Sequence, residues 1–181
     1  MSADEQLDTE YVVLLDDDGL PCGTAEKSGV HHRNTPLHLA FSCWILGEQG
    51  QTLLTRRAAN KTTWPGVWTN SFCGHPAPGE SLTDAVHRRA AYELGAAVDS
   101  PTPALPDFRY RAVMADGTVE NEVCPVFIAT LRSDPEPNPS EVAALRWVNL
   151  DELAAAVERD ATPYSPWMLE HLAGIRSHLL R

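Results

Sequence analysis

The run Trp68-Thr69-Asn70-Ser71-Phe72-Cys73-Gly74-His75-Pro76 leads almost directly into a helix, and the rest of the chain is organised around that pairing. Ser81-Leu82-Thr83-Asp84 is a helix start, with Ser81 as the cap and Asp84 three residues on. Gly95 stops the helix after Leu94. Leu82, Val86, Ala90 and Leu94 recur every four residues and predict its buried row. Ala85, Arg89 and Glu93 form the adjacent row, so Arg89 and Glu93 point the same way from the edge of the core. Upstream, Lys61 to Pro78 is rich in Trp, Gly, Pro and Asn, which predicts an ordered loop around a site.

Further out, Tyr11 to Leu15 reads as a strand ended by the turn Asp16-Asp17-Asp18-Gly19. Leu37 to Leu46 is a longer strand-like run, and Gly47-Glu48-Gln49-Gly50 turns it back into Thr52 to Arg57 as a hairpin. A second hairpin joins Phe108–Met114 to Val119–Leu131 through Ala115-Asp116-Gly117-Thr118. On its second arm Glu120, Glu122, Cys124, Val126 and Ile128 share one face by period two. A Pro-rich loop, Asp134 to Pro139, precedes a strand over Val142–Val148 and closing helices over Leu150–Arg159 and Ser165–Leu180. Hairpins with one central helix and terminal helices predict an α+β fold, a mixed β-sheet core packed between helices. We expect one compact domain over residues 11–181 after a disordered tail at residues 1–10.

At 181 residues the chain buries about two-thirds of its unfolded surface, enough for a real core. Its net charge of -11 argues against nucleic-acid binding and against docking on anionic lipid. Arg56, Arg57, Lys61, Arg88 and Arg89 nevertheless flank Cys73 on both sides, as a small anionic ligand would require, although ordinary surface charge also clusters. Met1–Gln6 has neither the basic nor the apolar stretch of an export signal, and no run has the ~18 apolar residues of a membrane span. Cys22, Cys43, Cys73 and Cys124 form no Cys-x-x-Cys pair. The expectation is a reduced, cytoplasmic protein, and a monomer, since no long heptad or apolar edge invites self-association.

Taken singly, His31, His38 and His75 read as surface or hydrogen-bonded core histidines. Glu120 and Glu122 change that reading, because two carboxylates on an apolar strand face need compensation. Three imidazoles and two carboxylates suit an octahedral divalent site for Mn²⁺, Mg²⁺ or Zn²⁺. Cys73 lies in a loop with cations nearby, which lower a thiol pKa, whereas apolar burial raises it. Acid/base group, covalent nucleophile and structural cysteine all remain open on spacing alone.

Gly74, Glu80, Arg88, Glu93 and Gly95 stand in register with the Nudix box, a Gly, five residues, a Glu, seven residues, then Arg-Glu-apolar-x-Glu-Glu-x-Gly. Arg89 and Tyr92 replace two of its glutamates. Over roughly residues 11–170 the chain resembles the type I isopentenyl-diphosphate isomerases, a Nudix-like family. The matching segments are Leu37–Ser42, Thr55–Arg57, Trp64–Ser71, Cys73–Pro76, Tyr92–Gly95, Asp107–Ala112, Glu120–Phe127 and Ser165–Met168. The resemblance implies a Nudix-like fold acting on a prenyl diphosphate. It implies a first metal, Mn²⁺, Mg²⁺ or Zn²⁺, on His31, His38, His75, Glu120 and Glu122. A second, Mg²⁺, falls to Glu93 and the backbone oxygen of Cys73. Lys27, Arg57, Lys61 and Arg89 match the family's diphosphate clamp, Cys73 and Glu122 its catalytic groups, and Tyr110 and Trp167 its supporting aromatics. The rival reading is a Nudix diphosphate hydrolase, which lacks the acids it needs at positions 89 and 92.

Overall fold

The computed structural model describes residues 9–179. In chain order the elements are β1 (Tyr11–Leu15), β2 (Pro21–Glu26), α1 (Lys27–Val30), β3 (His38–Leu39), β4 (Phe41–Leu46), β5 (Gln51–Arg57), β6 (Trp68–Thr69) and β7 (Phe72–Gly74). They continue with α2 (Leu82–Leu94), β8 (Thr102–Leu105), β9 (Arg109–Val113), β10 (Val119–Val123), β11 (Val126–Ala129), β12 (Val142–Asn149), α3 (Leu150–Arg159) and α4 (Pro166–Leu179). One sheet has the order β2-β1-β3-β10-β9, and the other β12-β5-β4-β11-β8 with β6 on β5 and β7 on β4. The expected disorder at residues 1–8 lies outside the described residues. Glu10, at the end of that expected tail, pairs with Lys27 at 2.6 Å.

Two runs expected to be continuous strands each divide between the sheets. Leu37–Leu46 breaks at Ala40 into β3 and β4, and Val119–Leu131 breaks at Cys124-Pro125 into β10 and β11. The cause lies in the ladder: proline has no N–H to donate, so pairing ends there and resumes after it. Ala40 N–H donates to the Val123 carbonyl, and Ser42 N–H to that of Pro125. The two crossing strands run in parallel on both sides of the break, with Glu122 beside His38 and Val126 beside Ser42.

The β4–β5 hairpin is also shorter than expected. Its ladder holds only Ile45 opposite Leu53 and Leu46 opposite Thr52. Beyond that the strands part, and the loop is more regular than its composition suggests. β6 pairs with β5, β7 pairs with β4, and Asn70 and Ser71 fill the fork. Ser71 Oγ accepts from Ile45 N–H at 2.7 Å and donates to the Leu53 carbonyl at 2.6 Å, replacing ladder bonds with a side chain.

Pleat alternation then sorts the side chains. Phe41, Cys43, Ile45, Leu53, Phe72 and Phe127 pack against α2, while Trp44, Leu54 and Val126 pack against α3 and α4. The larger sheet is therefore packed between helices, as the α+β expectation holds. α2 has its expected ends: Ser81 Oγ accepts from Asp84 N–H at 3.1 Å, and Gly95 takes φ 60° at the C-cap. Its expected row is buried at Val86, Ala90 and Leu94 and only partly covered at Leu82, and the adjacent row of Ala85, Arg89 and Glu93 is buried beside it. Leu82 lies in the first turn, where the helix has only begun to meet the sheet.

Candidate active site

His31, at the end of α1, His38 on β3, His75 just after β7 and Glu122 on β10 bring one ligand atom each within 4.8 Å of one another. Glu122 Oε1 is 3.0 Å from His75 Nε2, 3.3 Å from His38 Nε2 and 3.9 Å from His31 Nε2. Glu120 joins at the edge, with its Oε2 3.5 Å from His31 Nε2. His38 Nδ1 is 2.9 Å from the Pro36 carbonyl, which holds the ring with its proton on Nδ1 and its Nε2 lone pair facing the carboxylates. His31 Nε2 and His38 Nε2 are buried without a hydrogen-bond partner. Unpartnered buried nitrogens converging on a carboxylate fit a divalent cation with N and O ligands, so this donor set can hold a metal. The neighbouring His32 instead accepts from Asn34 N–H and takes no part.

Charge in the cluster is uneven. Burial opposes protonation of His31, but Glu120 and Glu122 outweigh it and raise its pKa to about 9. At His75 burial wins over Glu122 and lowers the pKa to about 4. Burial alone would raise the Glu122 pKa, yet the three imidazoles that face it, His31, His38 and His75, hold it well below the usual carboxylate range. Tyr110 on β9 donates its single hydroxyl proton towards Glu122 Oε2 at 2.9 Å and Glu120 Oε2 at 3.1 Å.

Cys73 and Glu122 line one cavity of ≈ 850 Å³, together with Tyr110 and Trp167. The volume is in the range of small-molecule sites. Cys73 Sγ lies 3.2 Å from Ser42 Oγ and within reach of the Asn70 carboxamide. Spacing left the balance at this thiol open between nearby cations, which lower its pKa, and burial, which raises it. Burial outweighs the cations, along with the Ser42 and Asn70 bonds, and pushes its pKa up to about 11. Cys73 is thus a protonated thiol. The Trp167 ring is met edge-on by Trp64 at 5.5 Å and approached by the Arg57 guanidinium at 5.4 Å.

Lys27, Arg57, Lys61 and Arg89, expected to form an anion clamp, line the same cavity. Arg56 and Arg88 turn away: Arg56 bonds the Gly66 carbonyl and Arg88 grips Glu80 at 2.7 Å. Each clamp cation has a partner. Lys27 meets Glu10, Lys61 meets Glu141, and Arg57 donates to the Thr63 and Trp64 carbonyls. Arg89, standing where a Nudix box has an acid, binds Glu93 Oε1 at 2.6 Å and Glu141 at 3.3 Å. Its guanidinium also lies 4.9 Å from the ring of Tyr92, the other replaced acid. Glu93, expected to hold a second metal, therefore spends one oxygen on Arg89. Sequence reasoning missed Glu10, Glu141, Ser42 and Asn70. Of these only Asn70, a polar residue between aromatics, offered a local signal.

Two sheets that exchange strands around a capped helix, with a site at that helix's leading loop, define the Nudix class. The NUDIX domain model matches residues 36–168. In fold, the chain is similar to a Deinococcus radiodurans protein (TM-score 0.65, 18% identity, covering 83% of this chain and 90% of that one). It is likewise similar to a MutT NUDIX hydrolase from Burkholderia pseudomallei (TM-score 0.61, 24% identity, 77% and 98%). In sequence it is 58% identical over 160 residues to an isopentenyl-diphosphate Delta-isomerase of Clavibacter michiganensis, covering 88% of this chain and 82% of that protein. It is 54% identical over 167 residues to one from Brevibacterium linens, covering 92% of each. The chain belongs to the isopentenyl-diphosphate Delta-isomerases of the Nudix family.

Proposed function

We propose that this chain interconverts isopentenyl diphosphate and dimethylallyl diphosphate by a 1,3-proton shift. The observation that carries the reading is one cavity lined by a thiol, a carboxylate and an indole together with four cations. An alkene is a poor base, so a proton donor must face one side of the allylic unit and a proton acceptor the other. The protonated Cys73 thiol and the ionised Glu122 carboxylate are suited to those parts, with the direction of reaction deciding which gives and which takes. Tyr110 holds Glu122 in place and can pass a proton to it. The Trp167 π face meets the transient tertiary cation, a contact worth about 2 kcal/mol when desolvated. Lys27, Arg57, Lys61 and Arg89 grip the diphosphate, and binding energy from that remote group orients the five-carbon unit.

His31, His38, His75, Glu120 and Glu122 would hold a divalent metal, which would supply positive charge that helps keep Glu122 ionised in a dry pocket. We assign Mn²⁺, Zn²⁺ or Mg²⁺ to that cluster, and Mg²⁺ to Glu93 with the Cys73 carbonyl. Among the described residues no helix is long and apolar enough to cross a membrane. We place the enzyme in the cytoplasm, as a monomer acting on a diffusible prenyl diphosphate. Arg89 and Tyr92, in place of metal-binding acids, leave the diphosphate uncut. The test is incubation with isopentenyl diphosphate and Mg²⁺ in heavy water. Deuterium uptake into the prenyl group with the diphosphate intact is expected. Phosphate release without deuterium uptake would overturn the assignment in favour of a hydrolase.

A further inference from the structure

Asn70 is fully buried in the fork between β4 and β5. Its Nδ2 donates to the Cys43 carbonyl at 3.0 Å and the Phe72 carbonyl at 2.9 Å. Those bonds fix which way the amide faces, because two carbonyls require the nitrogen on their side. They also explain why the fork needs a donor, and a scaffold role would end there. The other side of the amide is occupied too. Oδ1 accepts from Trp167 Nε1 at 3.1 Å and from Thr69 Oγ1 at 3.0 Å. Both amide atoms reach Cys73 Sγ, Nδ2 at 3.4 Å and Oδ1 at 3.5 Å. Thr69 Oγ1 in turn lies 2.8 Å from Ser165 Oγ, at the foot of the helix that carries Trp167.

We infer that Asn70 is a positioning residue for this reaction, its one carboxamide setting the Cys73 thiol and the Trp167 indole at a fixed separation. This rests on the parts given to Cys73 and Trp167 above. The two groups sit on different elements, β7 and α4, distant in sequence and joined here through a side chain. A proton donor and a cation-stabilising ring must be correct relative to each other as well as to the substrate. A planar amide that presents a donor and an acceptor at once can hold both. Aspartate lacks the donor and leucine lacks either.

The test is steady-state kinetics on Asn70→Ala, Trp167→Phe, the double variant and Thr69→Val. A displacement of about 1 Å at a reacting group costs on the order of 10²-fold, so Asn70→Ala is expected to lower kcat by about that factor. KM stays unchanged, because the cationic clamp is untouched. Trp167→Phe deletes the indole N–H and keeps a ring. Asn70→Ala should therefore cost less in that background than alone, a coupling that a scaffold role would not produce. An unchanged kcat in Asn70→Ala, a loss carried by KM, or strictly additive losses would overturn the proposal. If Asn70→Ala fails to fold, Thr69→Val decides: a lower kcat at constant KM supports it, and an unchanged kcat overturns it. Parental turnover in Cys73→Ala would sink the reading of the thiol instead, an outcome separable from any result at position 70.

Discussion

Tyr110→Phe isolates one oxygen at the centre of the site. The phenol is buried and its single proton serves two carboxylates, Glu122 Oε2 at 2.9 Å and Glu120 Oε2 at 3.1 Å. The ring is held independently, stacked on Phe108 at 5.9 Å and packed on Trp167 at 5.8 Å, so phenylalanine keeps the shape of the cavity wall. What is lost is one bifurcated hydrogen bond to charged acceptors, worth about 1.5–3 kcal/mol. At about 1.4 kcal/mol per factor of ten, kcat should fall roughly 10- to 150-fold if the bond acts fully in the transition state. The Tyr110 hydroxyl bonds to Glu120 and Glu122 and to none of the clamp residues, so KM for isopentenyl diphosphate should not move. The assay is the rate of deuterium uptake from heavy water across a substrate series, with thermal unfolding as the control for folding. A folded Tyr110→Phe enzyme with parental kcat would refute the idea that this hydroxyl fixes Glu122. A loss confined to KM would refute it equally.

Cys73→Ala and Glu122→Gln each remove one half of the proposed acid/base pair and should lower kcat by about 10²- to 10⁴-fold with cooperative unfolding retained; near-parental isomerisation by either would remove that residue from the chemistry. His31 has a metal-free pKa raised to about 9, so at neutral pH it holds a proton that a metal must displace. Titrating Zn²⁺ or Mn²⁺ into the chelated protein should therefore release protons, and His31→Gln should abolish most of that release, read with a pH dye in weak buffer. Because that folded pKa lies above the ordinary 6.5, the stability His31 lends the metal-free chain is complete below pH 6.5 and is lost as pH rises through about 9. His171 behaves oppositely: burial lowers its pKa from 6.5 to about 3 while its Nδ1 accepts from Trp44 Nε1. Its contribution is present above pH 6.5 and lost as pH falls towards 3, with a slope of at most about 1.4 kcal/mol per pH unit. His171→Gln should flatten the acid limb of the stability curve, measured by denaturant unfolding between those limits; an unchanged limb would refute the assignment.

The ends of α2 were legible because caps are local: Ser81 and Gly95 act on backbone within one turn of themselves. The acids of the site were legible for a different reason. Glu120 and Glu122 broke an apolar alternation, and a buried charge has to be answered by something. The division of two strands at Ala40 and Pro125 was not foreseen, although Pro125 within a strand-like run was a visible warning. β2 escaped notice because its Pro21–Glu26 run is mostly exposed and carries no apolar alternation. Glu10 and Glu141 looked like ordinary surface acids, since ion pairing across the fold leaves no mark on local spacing. Cys73 shows a balance that local spacing names and leaves undecided. The Ser42 and Asn70 bonds and the Arg57 charge pull its pKa down, but a buried thiol loses more hydration than they return.

The smaller sheet is stitched at a single place. β3, two residues long, is what joins the β1–β2 ribbon to β10 and β9, with Leu14 on one flank of His38 and Glu122 on the other. A seam so short is where a sheet opens first, so amides of the β1–β2 ribbon should exchange with solvent ahead of those in the larger sheet. His38 and Glu122 face each other across that seam, and an ion held between them would work as a clasp. Loading the enzyme with metal should then slow exchange in a ribbon that contributes none of the ligands, so that catalytic readiness and the integrity of the N-terminal strands rise and fall together.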